Sequence, residues 1–176
     1  MTLLRRAAAL IDRMNFAGAV FAAAALCLLA LLLIVEVATT GLVNYSQPWA
    51  VEYASYLLAA AMLCGAGWTL GDGGHMRVRF VSAERSPRIA RVLEYVASLA
   101  GLAMAAFIAA ALIGMALRSH QLGSRSYFPM QTPLVWPQLV VASGFVLLTL
   151  GFVARLIRLA LGEEFETPTV DTFGAD

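Results

Sequence analysis

Apolar residues occur in long blocks that carry almost no charge. Residues 16–35 contain no charged side chain, and about 20 helical residues cross the hydrocarbon core of a bilayer. Three further blocks have a similar length. The pattern predicts an all-α integral membrane protein with four transmembrane helices in a single domain over residues 1–160. The predicted spans cover about residues 14–41, 49–70, 92–117 and 134–154.

Turn and capping residues separate these blocks. The run Gly71-Asp72-Gly73-Gly74 ends the second span, since glycine continues a helix poorly. Ser86-Pro87 has the residue types of an N-cap followed by a first helical proline, and it predicts the start of the third span. Thr132-Pro133 predicts the start of the fourth span in the same way.

The arginines predict the orientation, because cytoplasmic loops retain positive charge. Ten of the twelve lie before the first span, between the second and third, or after the fourth. The loop between the third and fourth spans has only Arg118 and Arg125, and residues 42–48 have none. We therefore expect both termini to be cytoplasmic.

Three segments outside the spans have their own composition. Residues 3–14 place apolar side chains at helical spacing, which fits either a short amphipathic helix in the interface or a simple extension of the first span. Residues 77–85 combine arginines with apolar residues and are expected to lie along the membrane surface. Residues 161–176 are expected to form a flexible, acidic cytoplasmic tail.

Composition argues against several functions. The chain is 61% hydrophobic and 13% charged with a net charge of +1, which does not suit a soluble enzyme or a nucleic-acid-binding protein. His75 and His120 are predicted at opposite membrane faces, so they do not ligate one haem. Cys27 and Cys64 lie within spans, unlike the paired cysteines of a disulfide oxidase. We expect no enzymatic activity and no cofactor.

Acidic residues within or beside the spans are the natural candidates for function, because charge is costly in lipid. Glu52 lies in the first turn of the second span, where negative charge favours the helix N-terminus. Glu94 lies within helical reach of Arg91. Glu36 has no such explanation and is expected to face either a partner subunit or a polar cavity.

Small residues recur every four positions in the third span. Such rows let helix backbones approach closely in lipid. Ala106, Ala110 and Gly114 form a second row beside the first, which favours packing on more than one side of this helix. The first row consists of Ala97, Gly101, Ala105 and Ala109.

The residues flanking the second span carry a family resemblance. Asn44 to Tyr53 enter this span, and Gly73 to Val78 leave it. With the four-span layout over residues 10–160, the chain resembles the small, DctQ-like membrane subunit of tripartite ATP-independent periplasmic (TRAP) transporters. The matching positions are Trp49, Glu52, Gly74, His75, Arg77 and Val78.

The resemblance implies a three-part uptake system for an organic acid. A periplasmic binding protein captures the solute, and a large, DctM-like membrane subunit holds the sodium and substrate sites. The small subunit then packs against the static scaffold of the large one, in the lipid bilayer of the bacterial inner membrane. Candidate contacts with the partner or the interface are Glu36, Trp49, Glu52, Tyr53, His75, Arg77 and Arg79.

Two other functions are compatible with the sequence. One is a self-sufficient, homodimeric, proton-coupled exporter in which Glu36 carries the proton. The other is a four-span assembly factor that transports nothing. Neither function would need the two additional proteins of a three-part system.

Overall fold

The computed structural model describes residues 2–71 and 87–161, which contain four α-helices. These are α1 (Thr2–Val43), α2 (Ala50–Gly71), α3 (Pro87–Gln121) and α4 (Val135–Ala160). All four are long and apolar enough to cross a membrane. The predicted all-α, four-span fold is confirmed, and α3 begins at the predicted proline.

Helix α1 is continuous through its first residues. Its 42 residues span about 63 Å at 1.5 Å per residue, about twice the thickness of the hydrocarbon core. Residues 3–14 therefore extend the first span as part of the same helix. The sequence left open whether these residues form a separate amphipathic helix or extend the first span, and the structure shows the extension.

Three of the helices pack against one another, and the fourth lies to one side. Helices α1, α2 and α4 contact each other pairwise, whereas α3 contacts only α4 among the described helices. The helix bundle has two ends. The end that contains Glu52, the Glu52 end, also contains the α1–α2 and α3–α4 loops. The end that contains Arg155, the Arg155 end, also contains the start of α1 and the end of α4.

Glycines form the contact region of α1, α2 and α4. A Cβ atom built on Gly18 would lie 2.7 Å from the Cys64 carbonyl oxygen, and one on Gly151 would lie 3.2 Å from the Gly67 carbonyl oxygen. Most buried apolar residues are alanines, whereas many leucines and phenylalanines are exposed. Because lipid removes the hydrophobic force between helices, close backbone packing of small residues is what holds such a core together.

The α3–α4 loop folds back on itself before α4 begins. The Ser126 N–H donates to the Thr132 carbonyl oxygen at 2.9 Å, and the Leu134 N–H donates to the Ser124 carbonyl oxygen at 3.1 Å. The N-cap of α4 is Leu134, which makes no side-chain capping bond. The predicted cap at Thr132-Pro133 is therefore wrong, because those residues belong to the hydrogen-bonded loop.

Candidate functional site: helix-end polar clusters and an exposed helix face

Glu36 holds the loop that joins α1 to α2. Its carboxylate accepts hydrogen bonds from the Ser46 hydroxyl at 2.6 Å and from the Gln47 backbone N–H at 3.1 and 3.2 Å. The Thr40 hydroxyl adds a longer bond of 3.4 Å. Charge-assisted bonds of this kind are stronger than neutral ones. The arrangement gives Glu36 a structural partner within its own chain, which the sequence did not indicate.

The same loop needs an unusual backbone conformation at Asn44. This residue has φ of 57°, a left-handed conformation that asparagine adopts more readily than most residues. It directly follows the last residue of α1 and turns the chain away from the helix axis. Asn44 and Glu36 together direct the chain into α2 at the Glu52 end.

Glu52 is fully buried in the first turn of α2, with 0% of its surface exposed. The Tyr56 hydroxyl donates to its Oε1 at 2.9 Å. Its Oε2 makes no hydrogen bond with the described part of the chain. A buried carboxyl is costly unless it has partners, so the Tyr56 bond is central to the stability of this turn.

The α3–α4 loop reaches this part of α2 through Ser126. The Ser126 side chain lies beside the Tyr56 hydroxyl, and the Ser126 hydroxyl accepts the Phe128 backbone N–H at 3.3 Å. The loop therefore lies next to the first turns of α2, although α3 itself does not contact that helix.

Aromatic rings pack against one another at the start of α2. Trp49 and Tyr53 pack edge to face with ring centroids 6.2 Å apart, and Tyr53 and Tyr56 do the same at 6.2 Å. Trp49 is half-buried and Tyr53 is 37% exposed. Tyrosine and tryptophan prefer the headgroup level of a bilayer. Of these predicted contact residues, Tyr53 presents the most surface to lipid or a partner, whereas Glu52 presents none.

Two ion pairs define the Arg155 end and join α4 to its neighbours. Arg155 pairs with Glu94 of α3 at 2.9 Å, and Arg158 pairs with Asp12 of α1. Sequence reasoning used both arginines only as topology signals and paired Glu94 within its own helix. Spans of alternating direction bring all four of these residues to one level. The sequence would have indicated these ion pairs if acidic and basic residues at the same end of neighbouring spans had been compared.

The two small-residue rows of α3 have different surroundings. In the first row Ala105 and Ala109 are buried, Gly101 lies against the Phe152 ring of α4, and Ala97 is exposed. In the second row Ala106 and Ala110 are exposed. A Cβ atom on Gly114 would have no neighbour within 4 Å. The second row therefore lies on a face of α3 that no described helix covers.

Three predicted contact residues lie outside the described residues. These are His75, Arg77 and Arg79, together with the surface segment 77–85 that contains two of them. The acidic tail from residue 162 onward also lies outside. In the described part of the chain, no group of three or more His, Cys, Asp or Glu side chains is placed to hold a metal ion.

The apolar spans and the polar contacts at their ends define the class of this protein. The chain is a multi-pass membrane protein whose polar groups bind its own loops and helix ends, with one helix face of small residues left open. A family model for the DctQ component of tripartite ATP-independent periplasmic transporters matches residues 29–162. The chain belongs to this family, as its sequence motifs indicated. A search of curated proteins and a search of solved structures each gave no significant match.

Proposed function

We propose that this chain is the small permease subunit that packs on the scaffold of the large membrane subunit in a TRAP transporter. The large subunit then binds sodium and solute, and a periplasmic binding protein delivers the solute, an organic acid. Membership of the DctQ family carries this proposal. In it the chain resides in the bacterial inner membrane with both termini cytoplasmic, so the Arg155 end faces the cytoplasm.

The polar contacts support a scaffold role over a transport role. Glu36, the carboxylate that a proton-coupled exporter would use, accepts bonds from the loop of its own chain. Glu52 is fully buried and accepts the Tyr56 hydroxyl, and Glu94 is paired with Arg155. Each of these groups lies near a helix end and is bonded within its own chain, which leaves the exporter without its proposed relay.

We place the contact with the large subunit on the second small-residue row of α3. This helix packs against only one described neighbour, and Ala106, Ala110 and Gly114 permit close approach of another backbone. In this proposal a helix of the large subunit packs against this face of α3. Phe107, which is 74% exposed, flanks the row and adds apolar contact area.

Co-purification tests this placement. Gly114→Ile adds bulk where the chain itself has open space, so the subunit should fold normally but retain much less of the co-expressed large subunit. Gly41→Ile is the matched control, because a Cβ atom there also has no neighbour within 4 Å. Equal retention of the large subunit by both variants would remove α3 as the contact. Failure of the wild-type chain to retain it at all would contradict the proposed function.

A further inference from the structure

A groove lies at the Arg155 end, between α1, α2 and α4. It has a volume of about 410 Å³. Its charged lining consists of Asp12, Arg13 and Arg158, and its remaining lining consists of Asn15, Phe16, Gly67, Trp68 and Gly71. None of these residues has a part in the proposed contact on α3.

The charges of the groove favour an anion. Two arginines and one aspartate leave an excess of one positive charge, and Asp12 already pairs with Arg158. The Arg13 side chain is exposed beside that pair. Basic pockets between membrane helices bind the headgroups of anionic lipids. A phosphodiester group therefore suits the groove by charge.

A buried amide lies at the inner side of the groove. Asn15 is 2% exposed, and its Oδ1 makes no hydrogen bond with the described part of the chain. The position of Asn15 between Gly67 and Gly151 is tight, since a Cβ atom on Gly67 would lie 2.6 Å from Oδ1. Because this oxygen accepts hydrogen bonds, it suits a hydroxyl of a phospholipid headgroup rather than a phosphate oxygen. The side chain thus offers an acceptor to the headgroup where the helices leave no room for a large residue.

The apolar lining favours a lipid over a free anion. Phe16 and Trp68 are 58% and 40% exposed, and Phe16 begins the uncharged block of α1 just beyond Asp12 and Arg13. Tryptophan at this depth is typical of the membrane interface. A free anion would leave Phe16 and Trp68 without an apolar partner, whereas the acyl chain of a membrane lipid would cover them.

We propose that this groove binds the phosphate of a membrane phospholipid, with Arg13 and Arg158 on the phosphate, Asn15 beside the headgroup, and Phe16 and Trp68 against an acyl chain. This site is independent of the solute and of the contact with the large subunit. A lipid held here bridges α1, α2 and α4 at the level of the ion pairs, and it stabilises the three-helix contact region from the side.

Native mass spectrometry of the full-length chain in detergent tests the proposal. We expect wild-type protein to bind one dioleoylphosphatidylglycerol, and to bind dioleoylglycerol, which lacks the phosphate, far more weakly. Arg13→Gln should weaken phosphatidylglycerol binding about five-fold, as expected for one arginine near an anionic headgroup. Arg6→Gln is the matched control on the same helix, because Arg6 does not line the groove.

A second variant blocks the groove without changing a charge. Gly71 lines the groove, and a Cβ atom there would have no neighbour within 4 Å. Gly71→Leu should therefore fold normally, as checked by circular dichroism and gel filtration, and should lose most phosphatidylglycerol binding. Gly41→Leu, equally open at the other end of the assembly, should retain it.

Three outcomes would overturn the proposal. The first is equal weakening by Arg6→Gln and Arg13→Gln, which would indicate non-specific attraction to the arginine-rich end. The second is unchanged binding in Gly71→Leu. The third is displacement of the lipid by inorganic phosphate at millimolar concentration, because a free anion would then be the better occupant.

Discussion

The glycine contact between α2 and α4 gives the sharpest test of how the fold is held together. A Cβ atom on Gly144 would lie 2.8 Å from the backbone carbonyl carbon of Leu63 and 2.9 Å from its oxygen. These are backbone atoms, so no change of rotamer relieves the clash. To restore contacts of 3.4 Å, the two helices must separate by about 0.6 Å, which weakens many contacts along their shared face.

Gly144→Ala measures this cost. Overpacking of a close contact costs about 1–3 kcal/mol, while replacing glycine by alanine in a helix favours the helix by about 1 kcal/mol. Gly114→Ala receives the same helix benefit without a clash, since its Cβ has open space. The two alanine variants should therefore differ by about 1–3 kcal/mol in free energy of unfolding, with Gly144→Ala the less stable.

Equilibrium unfolding in mixed micelles of dodecyl maltoside and SDS, followed by tryptophan fluorescence, gives both values. Gly144→Leu should extend the series, because it adds three more carbon atoms to the same contact. Equal stability of Gly144→Ala and Gly114→Ala would refute the reasoning. It would mean that the α2–α4 contact is looser than the structure has it.

Three further predictions concern the polar clusters. Tyr56→Phe removes the only described hydrogen-bond donor to the Glu52 carboxyl group, and it should lower the free energy of unfolding by about 1–3 kcal/mol. Tyr56→Phe/Glu52→Gln should recover most of this loss, because the unpartnered buried carboxyl is its cause; no recovery in the double variant would contradict this cause. Glu94→Arg and Arg155→Glu should each weaken the contact between α3 and α4, which disulfide cross-linking of introduced cysteines measures. The double charge exchange should restore cross-linking, and a double variant that cross-links no better than either single variant would argue against the ion pair. Glu36→Ala should speed hydrogen exchange of the α1–α2 loop amides at least ten-fold, and Glu36→Gln should have a smaller effect. Unchanged exchange in both variants would contradict the role of Glu36 in holding this loop.

The four spans were predictable because length and the absence of charge suffice to define a membrane helix. The sequence also indicated the family, through residues around α2 such as Trp49 and Glu52. The packing order of the helices was not predictable, because small residues occur on several faces of each helix. Gly101 and Gly114 look alike in the sequence, yet one lies against Phe152 and the other has open space.

The polar contacts depend on which helix ends lie side by side, and this is why sequence reasoning missed most of them. Glu36 meets Ser46 only because the α1–α2 loop folds back over the last turns of α1. Thr132 has the residue type of an N-cap, but the backbone pairing with Ser126 places it in the loop. Local pattern gave the elements correctly, and non-local hydrogen bonds decided the use of individual side chains.

The most direct test of the proposed scaffold role is solute uptake into proteoliposomes driven by a sodium gradient. The large membrane subunit and the solute-loaded binding protein are supplied with or without this chain, and the chain is also reconstituted alone. We expect uptake only when the chain and the large subunit are both present, with Glu36→Gln close to wild type. Undiminished uptake without the chain, or transport by the chain alone that Glu36→Gln abolishes, would contradict the account.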